Sequence, residues 1–234
     1  MSLTEIKKKL KQYSSRERAK NLQRFFKTAP GEYGYGDIFI GLTVPQIREI
    51  AKEHKEISLR DTLRLLKSPI HEERLLSLII LVSKFKEGTS SDRKRIYYSY
   101  LKNTKYINNW DLVDLTAHHI VGGFLKDNKH DKLYELVTSK DLWERRIAVV
   151  STFHFIKNNS FTDILKIAKI LLNDKEDLIH KATGWMLREV AKKDKKLVED
   201  FLLEHHKRMP RTMLRYAIER FPENERQKYL KKNG

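Results

Sequence analysis

The sequence has no cysteine, and its 234 residues include only five prolines and nine glycines. The absence of cysteine excludes disulfide bridges, thiolate metal sites and a cysteine nucleophile. The longest nearly apolar stretch, Leu75 to Val82, is interrupted by Ser77 and is far too short to span a bilayer. No apolar segment follows the N-terminal lysines, so no secretory signal is predicted. We therefore expect a soluble, cytoplasmic protein.

Acidic residues are few relative to basic ones. The chain has 31 Asp and Glu against 48 Lys and Arg, a formal net charge of +17. An excess of this size favours long-range association with polyanions, so nucleic acid, an acidic membrane surface and an acidic protein are all candidate partners. A merely solvated lysine-rich surface would have the same composition. The positions of the cations must therefore decide between these interpretations.

Apolar residues recur at helical spacing through most of the chain, and no stretch shows sustained alternation typical of a strand. The segment from Glu72 to Phe85 is the clearest case, with apolar residues three or four positions apart. Short polar breaks separate such segments, as expected between antiparallel helices. The sequence predicts an all-α fold. Further helical stripes run through Leu112 to Phe124, Ile147 to Ile156, Ile164 to Leu172 and Ala182 to Val190.

The segment from Pro30 to Gly41 differs because it contains four glycines. Thr43 follows as a good N-cap, and Gln46 completes a capping box at the start of a helix. A glycine-rich stretch before a helix can hold phosphate, but here no Gly-Lys-Ser/Thr motif and no preceding strand accompany it. We interpret the segment as a structured connection near the binding face.

Similar helix starts recur at intervals of 36, 36, 35 and 30 residues, with one further helix between each pair. A two-helix unit of this length is typical of HEAT-like α-solenoids. The sequence thus predicts a single α-solenoid domain over residues 1–234. The equivalent positions in the repeats are Arg74, Trp110, Arg146, Lys181 and Arg211.

Equivalent positions on the inner helices of a solenoid line one concave surface, and residues four apart share a helix face. Cations interleaved with tryptophans are typical of nucleic-acid contacts, since cations neutralise phosphates and indoles stack. Taken alone, Trp185 would more often belong to the core, and Arg146 beside Arg145 could be a solvated charge. The residues predicted to share the groove are Arg74, Trp110, Asp114, Arg146, Lys181, Trp185, Arg211 and Arg215.

Two carboxylates lie in the helix that begins at Trp110. Asp111 falls in the first turn, where the helix dipole favours a carboxylate, and can be a capping residue. Asp114 shares the face of Trp110, and a carboxylate in a basic groove repels polyanions. It could hold Arg146 or Lys181 in place, or do chemistry, and spacing alone favours the salt bridge. The adjacent histidine pairs, His118-His119 and His205-His206, point about 100° apart and do not predict a metal site.

Four segments resemble the HEAT-repeat DNA alkylation repair glycosylase family, and the resemblance extends over roughly residues 15 to 220. The most specific are NNWDLVD (108–114) and HKATGWMLREVAKK (180–193); the others are FIGLTVPQIRE (39–49) and LWERRIAVV (142–150). The stretch before Phe39 departs from the family pattern. Relatives of this fold include proteins that bind branched or damaged DNA without cutting it, and this alternative stays open.

The resemblance implies a solenoid that cradles duplex DNA as a monomer, without metal or cofactor, and a protein located at the nucleoid when on DNA. The implied activity is hydrolysis of the N-glycosidic bond of cationic N3- and N7-alkylated purines, with no need to flip the lesion into a deep pocket. By resemblance, Asp114 is the catalytic carboxylate. Trp110 and Trp185 correspond to aromatics at the lesion nucleotide's sugar and backbone, and Arg146 to a phosphate-contacting arginine.

Overall fold

The structure, a computed structural model, describes residues 3–231. Within these residues it contains fifteen α-helices and no β-strand, apart from one isolated parallel bridge between Ile38 and Ile70. The prediction of an all-α fold is confirmed. None of the helices described is both long enough and apolar enough to cross a membrane.

The chain divides into two compact units, residues 1–120 and residues 121–234. The division falls within a single helix, α8 (Ala117–Leu125). That residues 1–234 form one domain, with a concave surface, stays a prediction.

The first unit is built around one long helix, α5 (His71–Glu87), which packs against four others. Its neighbours are α3, α4, α6 and α7, and α1 packs in turn against α3. The α5 helix has buried residues on all its sides, which is why its apolar stripe is unusually wide. The other helices of this unit are α1 (Leu3–Gln12), α2 (Arg16–Phe25), α3 (Val44–Glu53), α4 (Leu59–Leu66), α6 (Ser90–Lys102) and α7 (Trp110–Asp114), with a 3-10 turn at Thr104–Tyr106.

The second unit contains a row of helices in which α10, α12 and α14 pack in succession. Helices α9, α11 and α13 pack beside this row, giving the paired arrangement of HEAT-like repeats. Gly184 allows the α12–α14 contact, because a Cβ there would collide with the Met213 carbonyl oxygen. The ranges are α9 (Asp131–Val137), α10 (Leu142–Lys157), α11 (Thr162–Ile170), α12 (Asp177–Ala191), α13 (Lys195–His205), α14 (Arg211–Ala217) and α15 (Glu223–Leu230), with a 3-10 turn at Leu171–Asn173.

Most predicted helix boundaries are observed, including the capping box between Thr43 and Gln46 at the start of α3. One prediction was wrong: the stripe from Leu112 to Phe124 is not a continuous helix, because α7 ends at Asp114 and α8 starts at Ala117. The buried Thr116 hydroxyl at this break bonds to the Leu112 carbonyl and lies 3.0 Å from the Tyr100 hydroxyl. Thr116 is thereby held at the break between the two helices.

Candidate functional site

The first unit contains a cavity of about 540 Å³ beside α7. Trp110 and Asp114, one helical turn apart, both line it, so the structure brings these two predicted site residues together. The remaining walls come from α2, the connection before α3, and the N-terminal turns of α3 and α5. The lining residues also include Arg18, Asn21, Leu22, Phe25, Phe26, Phe39, Leu42, His71, Glu72 and Asp111.

The indole of Trp110 is held in place by a column of stacked rings. Trp110 stacks on Phe26, with ring centroids 5.0 Å apart and planes 18° apart. Phe26 in turn stacks on Phe39 at 4.9 Å, and Phe39 stacks on the His71 imidazole at 4.4 Å. Phe26, Phe39 and His71 are buried, whereas Trp110 is only half-buried. The column therefore fixes the ring plane of Trp110 while leaving part of the indole accessible.

A buried ionic cluster lies at the inner end of this column. The His71 Nδ1 lies 3.0 Å from Asp37 Oδ2, and its Nε2 lies 2.8 Å from Asp111 Oδ2. Arg74 Nη2 donates to Asp37 Oδ1 at 2.6 Å, and Asn109 donates to the other oxygen of Asp37 at 3.4 Å. Two cations and two carboxylates thus balance in charge inside the protein, the arrangement that burial of ions requires.

The cluster connects three segments that are distant in sequence and fixes the start of α7. Asp37 belongs to the connection before α3, His71 begins α5, and Asp111 lies in the first turn of α7. The N-cap of α7 is Asn109, whose side chain accepts the backbone N–H of Trp110 at 2.8 Å. Asp111 caps the first turn as predicted, because its Oδ1 accepts the Leu112 N–H at 2.9 Å, and its Oδ2 is at the same time the ion-pair partner of His71. The position of Asp114 follows from this anchoring of its helix.

The histidine in the cluster is held in its charged form. Burial alone would lower the pKa of His71, but the charge and hydrogen bond of Asp111, together with the bond to Asp37, raise it from 6.5 to about 9. Burial would raise the pKa of Asp37, yet the hydrogen bond from His71 and the charge of Arg74 hold it below its usual range. At neutral pH the His71 imidazolium and the Asp37 carboxylate are therefore both charged.

This raised pKa predicts that stability falls as the solution becomes alkaline. A group whose pKa rises on folding adds stability that is complete below pH 6.5 and is lost as pH rises through about 9. The change corresponds to about 3 kcal/mol in the free energy of unfolding. Denaturant unfolding of the wild type and of His71→Gln, between pH 6 and pH 10, measures it. We expect the free energy of unfolding of the variant to lack this part of the pH dependence. If it falls equally with pH in both proteins, the His71 imidazolium is not the cause of the fall.

The glycine-containing connection before α3 is anchored to α5 and α2. The Glu72 carboxylate accepts hydrogen bonds from the three successive backbone N–H groups of residues 40–42, at 2.7–3.3 Å. Gly41 has a φ of 88°, and its carbonyl accepts a bond from Arg18 Nε at 2.8 Å. The segment is a structured connection, as predicted, and it contributes Phe39 and Leu42 to the cavity.

The second unit contains five of the predicted site residues, with different exposures. Arg211 and Arg215 of α14 are exposed, and the Arg211 guanidinium donates to the Leu230 carbonyl at 2.9 Å. Lys181 is half-buried and pairs with Asp177 at 2.8 Å, and Trp185 is half-buried with its ring 5.8 Å from that of Phe153. That these residues share one surface with Trp110 and Asp114 stays a prediction.

Two predicted DNA-contacting arginines are buried, which corrects the expectation for them. Arg74 is 3% exposed and is bonded to Asp37 and to the carbonyls of residues 68 and 69. Arg146 is 5% exposed, and its Nη1 donates to the Leu178 carbonyl. Guanidinium groups placed in this way stabilise the packing of neighbouring segments and are not presented to a phosphate.

The physical reason is the position of each residue within its helix. Trp110 and Arg211 are the first residues of their helices, Arg74 is the fourth, and Arg146 and Lys181 are the fifth. Arg74 and Arg146 therefore lie about one turn into their helices, where backbone carbonyls of other segments, those of residues 68 and 69 and of Leu178, accept their hydrogen bonds. The repeat spacing in the sequence contains no information about these carbonyl contacts.

Among the described residues, no group of three His, Asp or Glu side chains is arranged to hold a metal ion. In the Asp37–His71–Asp111 cluster, the two carboxylates already pair with His71 and Arg74. Sequence reasoning missed Asp37 and His71, because their contacts span 34 and 40 residues. The available sequence signal was His71 itself, which is followed by two glutamates at the start of the buried helix α5.

Comparison with protein families gives a match over nearly the whole chain. The family described as "DNA alkylation repair enzyme" matches residues 6–221. No match was found among curated protein sequences.

Three solved structures have a similar fold. A structure described as a predicted DNA alkylation repair enzyme from Enterococcus faecalis has a TM-score of 0.69 and 15% identity, covering 90% of this chain and 97% of that one. AlkD2 from Streptococcus mutans has a TM-score of 0.56 and 17% identity, with 92% and 99% covered. The protein smu.31 from Streptococcus mutans UA159 has a TM-score of 0.53 and 18% identity, with 89% and 96% covered. At these identities the likeness shows a shared helical-repeat fold.

Proposed function

Because the chain belongs to the DNA alkylation repair enzyme family, we propose that it is a monofunctional DNA glycosylase acting as a monomer. Its substrates are cationic N3- and N7-alkylated purines in duplex DNA, and it hydrolyses their N-glycosidic bond. The observation that supports this most is the shared cavity of Trp110 and Asp114, in which an oriented indole and a carboxylate lie one helical turn apart.

The chemistry of such substrates suits a site with a carboxylate. A purine alkylated at N3 or N7 is positively charged and leaves as a neutral base, so no general acid is needed. The sugar becomes an oxocarbenium-like cation in the transition state. In the proposed mechanism, the Asp114 carboxylate stabilises this cation and positions or deprotonates the attacking water.

Trp110 has a different role from Asp114 in the proposed mechanism. Its half-exposed indole offers an aromatic face to the cationic nucleotide, an interaction of about 0.5–2 kcal/mol. Because the stack on Phe26 fixes the ring plane, little conformational freedom is lost when the nucleotide binds. Trp110 thus orients the lesion while Asp114 does the chemistry.

Binding to the DNA backbone is assigned to the accessible residues of the second unit. We propose that Arg211, Arg215 and Lys181 contact phosphates, and that Trp185 contacts a sugar. Phosphate contacts fix the register of the protein on the duplex without reading sequence. Arg74 and Arg146 are left out of this set because both are buried.

The activity is tested with a duplex that contains one N7-methylguanine. After incubation, abasic sites are scored as strand breaks on a denaturing gel, with and without alkali. We expect breaks well above spontaneous depurination, and only in the alkali-treated sample, since a monofunctional enzyme leaves the backbone intact. Tight binding with depurination at the spontaneous rate would instead identify a protein that binds damaged DNA without cutting it.

A further inference from the structure

A polar pocket of about 290 Å³ lies in the first unit, beside the buried ionic cluster. Its walls come from the glycine-containing connection before α3, the turn between α4 and α5, and the segment between α6 and α7. Asp37 lines this pocket, whereas its partner His71 lines the cavity that contains Asp114. The ionic cluster is therefore the wall between the pocket and the cavity.

The walls of the pocket are fixed by backbone contacts. The Ile38 N–H donates to the Pro69 carbonyl at 3.3 Å, and the His71 N–H donates to the Ile38 carbonyl at 2.8 Å. Gly34 lies so close to the end of α2 that a Cβ there would collide with the Phe26 carbonyl oxygen. The pocket thus has a defined shape before a ligand binds, which lowers the entropy cost of binding.

The charged side chains that line the pocket, three cations and one carboxylate, give it a net charge of +2. The cations are Lys67, Arg74 and Lys105, and the carboxylate is Asp37. Both carboxylate oxygens of Asp37 are engaged inside the protein, one by Arg74 and the other by His71. The excess positive charge therefore belongs to Lys67 and Lys105, which are both exposed.

The glutamates nearest to these segments in the sequence are held by other partners. Glu32 accepts a backbone N–H of its own turn at 2.9 Å, and Glu72 accepts the N–H groups of residues 40–42. Glu73 pairs with Lys7 at 3.0 Å. None of these three glutamates lines the pocket, so they do not offset its positive charge.

Neutral donors complete the surface of the pocket. Tyr35, which is 66% exposed, and Tyr106 both line it, and the Lys105 ammonium lies 5.0 Å from the centre of the Tyr106 ring. The Asn108 amide oxygen has no hydrogen-bond partner among the described residues, so this amide can turn and offer its NH₂ group to an anion. Lysine, tyrosine and asparagine side chains are among the usual contacts of DNA phosphates.

We propose that this pocket binds one backbone phosphate of duplex DNA, with Lys67 and Lys105 as its cationic contacts. The proposal rests on the proposed function and adds to it a phosphate contact in the first unit. The volume is at the lower limit for small-molecule sites, which are about 300–1,000 Å³, and therefore suits a phosphate that is part of a larger molecule. Asn108 precedes Trp110 by two residues, so this phosphate would lie close to the nucleotide at the cavity.

The test determines which phosphates contribute to the affinity for a duplex with one central tetrahydrofuran nucleotide. A neutral methylphosphonate replaces one phosphate at a time on either side of this nucleotide, in both strands. At each contacted phosphate, we expect the affinity of the wild type to fall by about fivefold, the order of one phosphate contact. The double variant Lys67→Gln/Lys105→Gln should lose its sensitivity at one of these positions and keep it at the others.

The matched control is Lys52→Gln/Lys86→Gln, which removes the same charge from exposed lysines of α3 and α5 that do not line the pocket. This control should keep every sensitive position of the wild type. A full wild-type pattern in Lys67→Gln/Lys105→Gln, or the same loss in the control, would overturn the proposal.

A calorimetric titration with inorganic phosphate identifies a pocket that serves a free anion instead. Saturable binding that Lys67→Gln/Lys105→Gln loses, with no change in its affinity for duplex DNA, would also overturn the proposal. The methylphosphonate assay breaks no bond and is independent of catalysis. The expected loss of one position without excision of N7-methylguanine would contradict the proposed function alone, whereas excision with an unchanged pattern would contradict the phosphate pocket alone.

Discussion

Replacing Asp114 with asparagine is expected to slow the excision of N7-methylguanine by at least about 100-fold, the scale on which preorganised electrostatic groups act. The amide keeps the shape of the carboxyl group but cannot offset the positive charge that develops on the sugar. Asp114 is half-buried on an anchored helix, and the other carboxylates of the cavity are engaged elsewhere, Glu72 by the backbone N–H groups of residues 40–42 and Asp111 by His71. Single-turnover rates with enzyme in excess measure the chemical step.

The matched control for this variant is Asp127→Asn, which removes an exposed carboxylate from the segment after α8. Both variants gain the same unit of positive charge, so any general effect of net charge on DNA binding is shared. We expect Asp127→Asn to excise at the wild-type rate. Equal rates in the two variants would remove Asp114 from the mechanism.

Affinity for DNA is expected to fall steeply with salt. Each phosphate neutralised by a cation contributes about −0.9 to the slope of log affinity against log salt concentration. With the three contacts proposed for Arg211, Arg215 and Lys181, affinity for an undamaged duplex should fall roughly 40-fold between about 50 and 200 mM salt. A protein-interaction scaffold, the other common use of such repeats, would bind DNA weakly and show little of this dependence.

Substitutions can identify which residues cause the salt dependence of DNA affinity. Arg215→Gln, at an exposed position of α14, should reduce the magnitude of the slope by about 1 and weaken binding to damaged and undamaged duplex alike. Lys196→Gln is the control: this lysine is exposed on α13, outside the row formed by α10, α12 and α14. A loss confined to one DNA sequence, or an equal change in the control, would contradict phosphate contact by Arg215.

Local pattern was enough to predict the fold. Apolar spacing identified the long helices such as α5 and α10, and the polar breaks at 67–69 and 158–160 separate helices as expected. The division after Asp114 was missed because it depends on Thr116, whose hydroxyl is engaged by the distant Tyr100. The spacing of apolar residues contains no information about the contact between these two hydroxyl groups.

The candidate site was predictable only where its residues are close in sequence. Trp110 and Asp114 share a face because they are one turn apart, and the structure places both at one cavity. The burial of Arg74 follows from its pairing with Asp37, a contact across 37 residues that spacing cannot indicate. The cavity itself also escaped prediction, because α2, the connection at 39–42 and α7 come together only in three dimensions.

The central claim is that the Asp114 carboxylate faces the cation formed on the sugar during base release. The most direct measurement compares affinities for two duplexes: one with a pyrrolidine nucleotide, whose protonated ring nitrogen mimics that cation, and one with the neutral tetrahydrofuran nucleotide. Transition-state mimics bind more tightly than uncharged counterparts. We predict that the wild type prefers the cationic duplex at least about tenfold and that Asp114→Asn loses the preference; an equal preference in both proteins would contradict the account.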